Sequence, residues 1–126
     1  MPNDFRILFV DNSRTTRAAM SRLFEEKGFE VTTTGTGSEA IEMVSTGAFQ
    51  LVVMDLYMPL MNGYEAAKII RSLPGTYNQI PIIALTASND PKDMDIAKEA
   101  GMNEFVIKTQ EYKDLFEIIQ QYQSKN

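Results

Sequence analysis

Short apolar runs alternate with segments of helical period five times along this chain, and that alternation restricts the fold more than any other feature. Ile7 to Val10 reads as a buried strand. Thr16, Ala19, Met20 and Leu23 then follow helical spacing, with Gly28 as a stop. Glu30 to Thr34 makes a short second strand. Ala40, Ile41 and Val44 mark the second helix, closed by Gly47. Gln50 to Met54 is a third, continuously apolar strand. Ala66, Ile69, Ile70 and Leu73 make the third helix, ended by Pro74 and Gly75. Ile80 to Leu85 is predicted as the fourth strand. Asn89 or Asp90 caps the fourth helix, Pro91 opens its first turn and Gly101 closes it. Glu104 to Ile107 and a helix carrying Leu115, Ile118, Ile119 and Tyr122 complete the pattern. Five β–α units of this length predict an α/β fold, a parallel sheet with helices on both faces and right-handed crossovers. The third and fourth strands are apolar throughout, as central strands covered on both sides must be. The fourth helix has few large apolar residues beyond Met94, and is expected to be the most mobile.

Composition narrows the chemistry. The 126 residues suit one domain, expected to span 1–126, with a core large enough to need no staples. There is no cysteine, so disulfides and thiolate metal sites are excluded. There is no histidine either, so any histidine in the mechanism belongs to a partner. The net charge is −5 with no basic stripe, which argues against direct nucleic-acid binding. The apolar run near the start is too short for a signal peptide and nothing reaches membrane-spanning length, so a soluble cytoplasmic protein is expected.

In open α/β sheets, sites form beyond the carboxyl ends of the strands. The first strand ends in Val10-Asp11-Asn12, the third in Met54-Asp55, the fourth in Leu85-Thr86-Ala87 and the fifth in Ile107-Lys108-Thr109. Two carboxylates, an amide, a hydroxyl and an amine thus stand at one end of four strands. That set suits phosphoryl transfer to a carboxylate: Asp55 as nucleophile, Asp11 and Asn12 placed to hold magnesium, Lys108 as a fixed positive charge, and Thr86 as a hydroxyl for the phosphoryl oxygens. Each residue also has a plainer reading. Asp11 and Asn12 are good helix caps, Asp55 a good turn residue, Thr86 an ordinary strand residue and Lys108 an ordinary surface lysine. Their coincidence at one end of four strands favours the site.

These residues resemble the receiver domains of bacterial response regulators and hybrid histidine kinases. Asp55-Leu-Tyr-Met-Pro-Leu-Met-Asn-Gly63 resembles the family's phosphoacceptor loop, with Met58, Pro59 and Gly63 in their expected places. Ile80-Pro-Ile-Ile-Ala-Leu-Thr-Ala87 resembles its fourth strand and switch threonine, and Ala100 to Lys108 the approach to its lysine. Phe105 matches its aromatic switch position. The resemblance implies a flavodoxin-like (βα)5 three-layer sandwich, with the parallel five-stranded sheet in order 2-1-3-4-5. It implies Mg2+ as cofactor, held by Asp11, Asn12, Asp55 and the backbone carbonyl of Tyr57. It implies phosphoryl transfer to Asp55 from a histidine kinase or histidine phosphotransfer domain. Thr86 and Phe105 would then repack the face of helix 4, strand 5 and helix 5 for a downstream protein. Such a chain is a switch rather than an enzyme, with no nucleic acid or membrane as direct partner. In the phosphorylated state, Tyr57 is expected to shield the acceptor from water, while Ser88 offers no carboxylate to position one.

Two positions depart from the family. Asn12 stands where a second acid is usual, and Thr109 where proline usually follows the lysine. They favour an alternative, a degenerate receiver serving as a constitutive interaction module. Intact Asp55, Thr86 and Lys108 argue against it. A flavodoxin-like cofactor binder is a further alternative, suggested by Thr32 to Ser38. That segment follows the second strand rather than the first, and reads better as a strand–helix turn with Gly37 or Ser38 near a cap.

Overall fold

The computed structural model describes residues 5–87, 89–108 and 112–125. The strands are β1 (Arg6–Val10), β2 (Glu30–Thr34), β3 (Leu51–Asp55), β4 (Ile82–Thr86) and β5 (Glu104–Ile107). The helices are α1 (Arg14–Glu26), α2 (Gly37–Val44), α3 (Gly63–Arg71), α4 (Pro91–Glu99) and α5 (Lys113–Lys125). The sheet order is β2-β1-β3-β4-β5, every neighbouring pair parallel, as the resemblance implied. Among the described residues no helix is long and apolar enough to cross a membrane.

Alternation along the strands sorts side chains to two faces. Leu8, Val10, Val52, Met54, Ile82 and Ala84 face α2, α3 and α4. Ile7, Phe9, Leu51, Val53, Ile83 and Leu85 face α1 and α5. Burial on both faces is why these strands read as unbroken apolar runs.

The fourth strand begins later than its apolar run. Tyr77–Gln79 forms a 3-10 turn that ends at Ile80, and Pro81 has no N–H for the ladder. Pro81 still accepts from Val52 N at 2.9 Å, so only half of its pairing is lost. Arg71 holds this approach, donating to the carbonyls of Asn78, Ile80 and Gly101 and to Asn103 Oδ1. At α2 the cap is Thr36, whose hydroxyl accepts from Glu39 N at 3.1 Å, and Gly37 is the first helical residue. At α4 the cap is Asp90, which accepts from Lys92 N at 3.0 Å.

Candidate functional site

Register brings the carboxyl ends level. Val10 pairs with Met54, Asp55 with Leu85 and Thr86 with Ile107, so Asp11, Asp55, Thr86 and Lys108 emerge at one edge. Lys108 continues the ladder by donating its N–H to the Thr86 carbonyl. Its ammonium reaches back between two carboxylates, 3.6 Å from Asp11 Oδ2 and 4.0 Å from Asp55 Oδ1. The side chains of Asp11, Asp55 and Lys108 are 3%, 12% and 27% exposed, so these charges act in a partly desolvated pocket where they are screened less than on the surface. Burial pushes the Asp55 carboxyl above its ordinary value. The Lys108 ammonium pulls it down, Asp11 adds to the rise, and the N–H groups of Tyr57 and Leu56 oppose it.

The two oxygens of Asp11 have different surroundings. Its Oδ1 accepts from Ser13 N at 2.8 Å and so orients the start of α1, although Ser13 is the N-cap. Its Oδ2 is buried and accepts no hydrogen bond. Arg17, one turn into α1, donates to the Asp11 carbonyl at 2.8 Å and fixes that strand end from above. Asn12 is exposed at the rim and is not the cap.

The loop after β3 folds back on its own start. Gly63 N donates to the Leu56 carbonyl, and a Cβ at Gly63 would collide with the Asp55 carbonyl oxygen, so only glycine permits the closure. Asn62 and Glu65 form a reciprocal capping box that starts α3 there. Leu56 and Met58 root the loop in the core, while Leu60, at φ 70 and fully exposed, tops a γ-turn in which Met61 N donates to Pro59 O. Tyr57 N donates to Asp55 Oδ1 at 3.3 Å. Thr86 is buried at the last residue of β4. Phe105 is half-buried against the α4 face, lining a cleft of about 190 Å3 with Met94, Ala97 and Met102. Ser88 and Thr109 lie outside the described residues.

One cluster had no signature in the sequence. The Tyr57 hydroxyl donates to Asp93 Oδ1 at 2.8 Å, and the Tyr64 hydroxyl lies 3.2 Å from the same oxygen. Asp93 is 36 residues from Tyr57, so no local spacing announces the pair.

Residues 7–120 match the family model described as the response regulator receiver domain. The chain belongs to that family. Over 103 residues, 82% of its length, this receiver is 38% identical to the CAI-1 autoinducer sensor kinase/phosphatase CqsS of Vibrio cholerae, of which it spans 15%. Its fold superposes on the Vibrio cholerae chemotaxis protein CheY4 with a TM-score of 0.85 at 28% identity, covering 94% of this chain and 98% of that one. The receiver domain of a Pseudomonas aeruginosa sensor histidine kinase gives 0.85 at 27% identity, covering 95% and 98%. That structure has a magnesium ion coordinated in its active-site cleft.

The donor set of this receiver suits the same ion. No group of three His, Cys, Asp or Glu side chains gathers among the described residues, which rules against an all-carboxylate cage. Magnesium is commonly held through one or two carboxylates, with water and phosphate oxygens completing its shell. Asp11 and Asp55 are such a pair. Asp11 Oδ2 is the decisive atom: it is buried, accepts no hydrogen bond and meets the Lys108 ammonium only at 3.6 Å, so it keeps lone pairs for a metal.

Proposed function

We propose that this receiver is a phosphoacceptor switch, with Asp55 as acceptor. The observation that carries the reading is the Lys108 ammonium reaching two carboxylates on adjacent strands, one of them with an unsatisfied buried oxygen. Asp11, Asp55, the Tyr57 carbonyl and the Asn12 amide would hold Mg2+. The ion would neutralise charge that builds on the phosphoryl oxygens.

The donor is a phosphohistidine on a histidine kinase or phosphotransfer domain. An Asp55 oxygen attacks phosphorus as the phosphorus–nitrogen bond breaks. The imidazole keeps the bonding pair and takes up a proton, and the product is an aspartyl phosphate. Lys108 offsets the charge brought in. The Thr86 hydroxyl, one strand away, turns to a phosphoryl oxygen, and Phe105 moves inward behind it. This biases the face of α4, β5 and α5 between two packings that a downstream protein distinguishes. The Tyr57 side chain covers the acceptor and slows hydrolysis.

Mass spectrometry after incubation with phosphoramidate and magnesium tests the reading. One added phosphoryl group is expected, and none in Asp55→Asn. A wild type that stays unmodified over a wide magnesium range supports the second reading, a constitutive interaction module, which the exposed amide at position 12 favours. Asn12→Asp restores a third negative charge and is expected to tighten magnesium binding while lowering metal-free stability. Equal affinity in a magnesium titration removes position 12 from the site.

A further inference from the structure

Tyr57 and Tyr64 stand near the two ends of the loop that joins β3 to α3, and their hydroxyls converge on one carboxylate outside it. Tyr57 donates to Asp93 Oδ1 at 2.8 Å. Tyr64 lies 3.2 Å from that oxygen and 3.2 Å from the Asp93 carbonyl, and its ring is buried against the sheet. Tyr57 is 56% exposed. A side chain so open to water gives up rotamer freedom to stay in one place, and a hydrogen bond to a carboxylate, about twice as strong as a neutral one, offsets that loss. The main chain of the same residue touches the acceptor through Tyr57 N and Asp55 Oδ1. One residue therefore joins the acceptor carboxylate to the first turn of α4. Ala97 is the one buried side chain of that helix.

We propose that Asp93 is a positioning residue of the acceptor site. By accepting the Tyr57 hydroxyl it straps the loop after β3 to α4, and it holds the Tyr57 ring between the loops that follow β3 and β4, where Asp55 and Thr86 stand. The assignment rests on the phosphoacceptor reading and adds to it a residue outside the strand-end cluster. The strap has two consequences. Water reaches a phosphoryl group on Asp55 more slowly while the ring is tied. The state of the loop and the position of α4 become linked, so that each biases the other to the same extent.

Three variants of the whole chain separate the contributions. Asp93→Ala removes the acceptor oxygen, Asp93→Asn keeps one without its charge, and Tyr57→Phe keeps the ring without its hydroxyl. After loading with phosphoramidate and magnesium, decay of the phosphorylated species is followed by mass spectrometry. Asp93→Ala and Tyr57→Phe are expected to decay several-fold faster than wild type. The double variant should be no faster than the faster single one, because both remove the same bond. Asp93→Asn should fall between Asp93→Ala and wild type, because a neutral acceptor makes the weaker bond. Hydrogen exchange of the unphosphorylated chain supplies a readout independent of phosphorylation: Asp93→Ala should raise exchange in residues 56–62, and Asp93→Asn should do so much less. Unchanged decay in Asp93→Ala and Tyr57→Phe overturns the assignment even if their melting temperatures fall. If the wild type accepts no phosphoryl group, the phosphoacceptor reading fails by itself. Exchange then decides the strap, and an unchanged segment 56–62 overturns it.

Discussion

The helices α1 and α5 cover one face of the sheet with rings, and α2, α3 and α4 cover the other largely with alanines. On the first face Phe24 lies 5.8 Å from Phe9, 6.4 Å from Phe29 and 5.3 Å from Phe116, and Phe29 stacks on Phe116 at 6.0 Å. On the second, the helical side is built from Ala40, Ala66, Ala67, Ala97 and Ala100, with Val44, Tyr64 and Ile70 as the larger pieces. Interlocked rings allow few alternative packings, since moving one displaces its neighbours. Alanines let a helix lie close to the sheet but give it little volume to grip. The contrast is greatest at α4, where Met94 and Ile96 are each 41% exposed and polar ties from Tyr57 and Tyr64 reach the first turn. Few buried apolar contacts mean a low cost of local displacement. Within the surface proposed to repack, α4 is thus the element with less to break, and α5 the firmer one.

Phe24→Ala probes the contrast most strongly. A loss of about 3–5 kcal/mol is expected in urea denaturation, because the cavity opens among three other rings. Ala97→Gly, on the opposite face, should lose the helical preference of alanine, about 1 kcal/mol, and the burial of one methyl, about 0.8 kcal/mol. Equal losses would erase the difference between the layers.

A smaller effect of opposite sign is expected at the edge where the two layers meet. In the folded chain the Asp55 carboxyl is raised above its ordinary value, chiefly by burial. A group raised in this way binds its proton more tightly folded than unfolded, so stability is lost as pH rises from the unfolded value and the loss is complete above the folded one. Asp55→Asn should therefore stabilise the metal-free chain at pH 7. The gain should shrink as pH falls through the folded value and vanish below the unfolded one, 3.8. Melts across that range check the sign. A variant less stable than wild type at pH 7 would mean that the Lys108 attraction outweighs desolvation.

Met94→Ala should change stability least, within about 0.5 kcal/mol, because the side chain is largely open to water. A loss above 2 kcal/mol on the order of a core truncation would show α4 to be anchored as firmly as α1.

The sequence by itself determined the class of fold, the number of β–α units and which polar residues stand at the strand ends. Periods of two and near four are set by backbone geometry, and a parallel strand buried on both faces has to be apolar. Asp11, Asp55, Thr86 and Lys108 were legible for the same reason, since each is the first polar residue after such a run or its last member. The start of β4 was misread by two residues, because Ile80 and Pro81 are apolar without being paired as the run suggested. Three matters were left to the tertiary structure. It decided that Lys108 lies nearer to Asp11 than to Asp55, which depends on the stagger of three strands. It left Asp11 Oδ2 without a donor while using Oδ1 to start α1, a division that residue type cannot express. It also joined Tyr57 to Asp93 across 36 residues. Contacts of that span carry no period, because they arise only when the segments that follow two adjacent strands are brought together by the sheet beneath them.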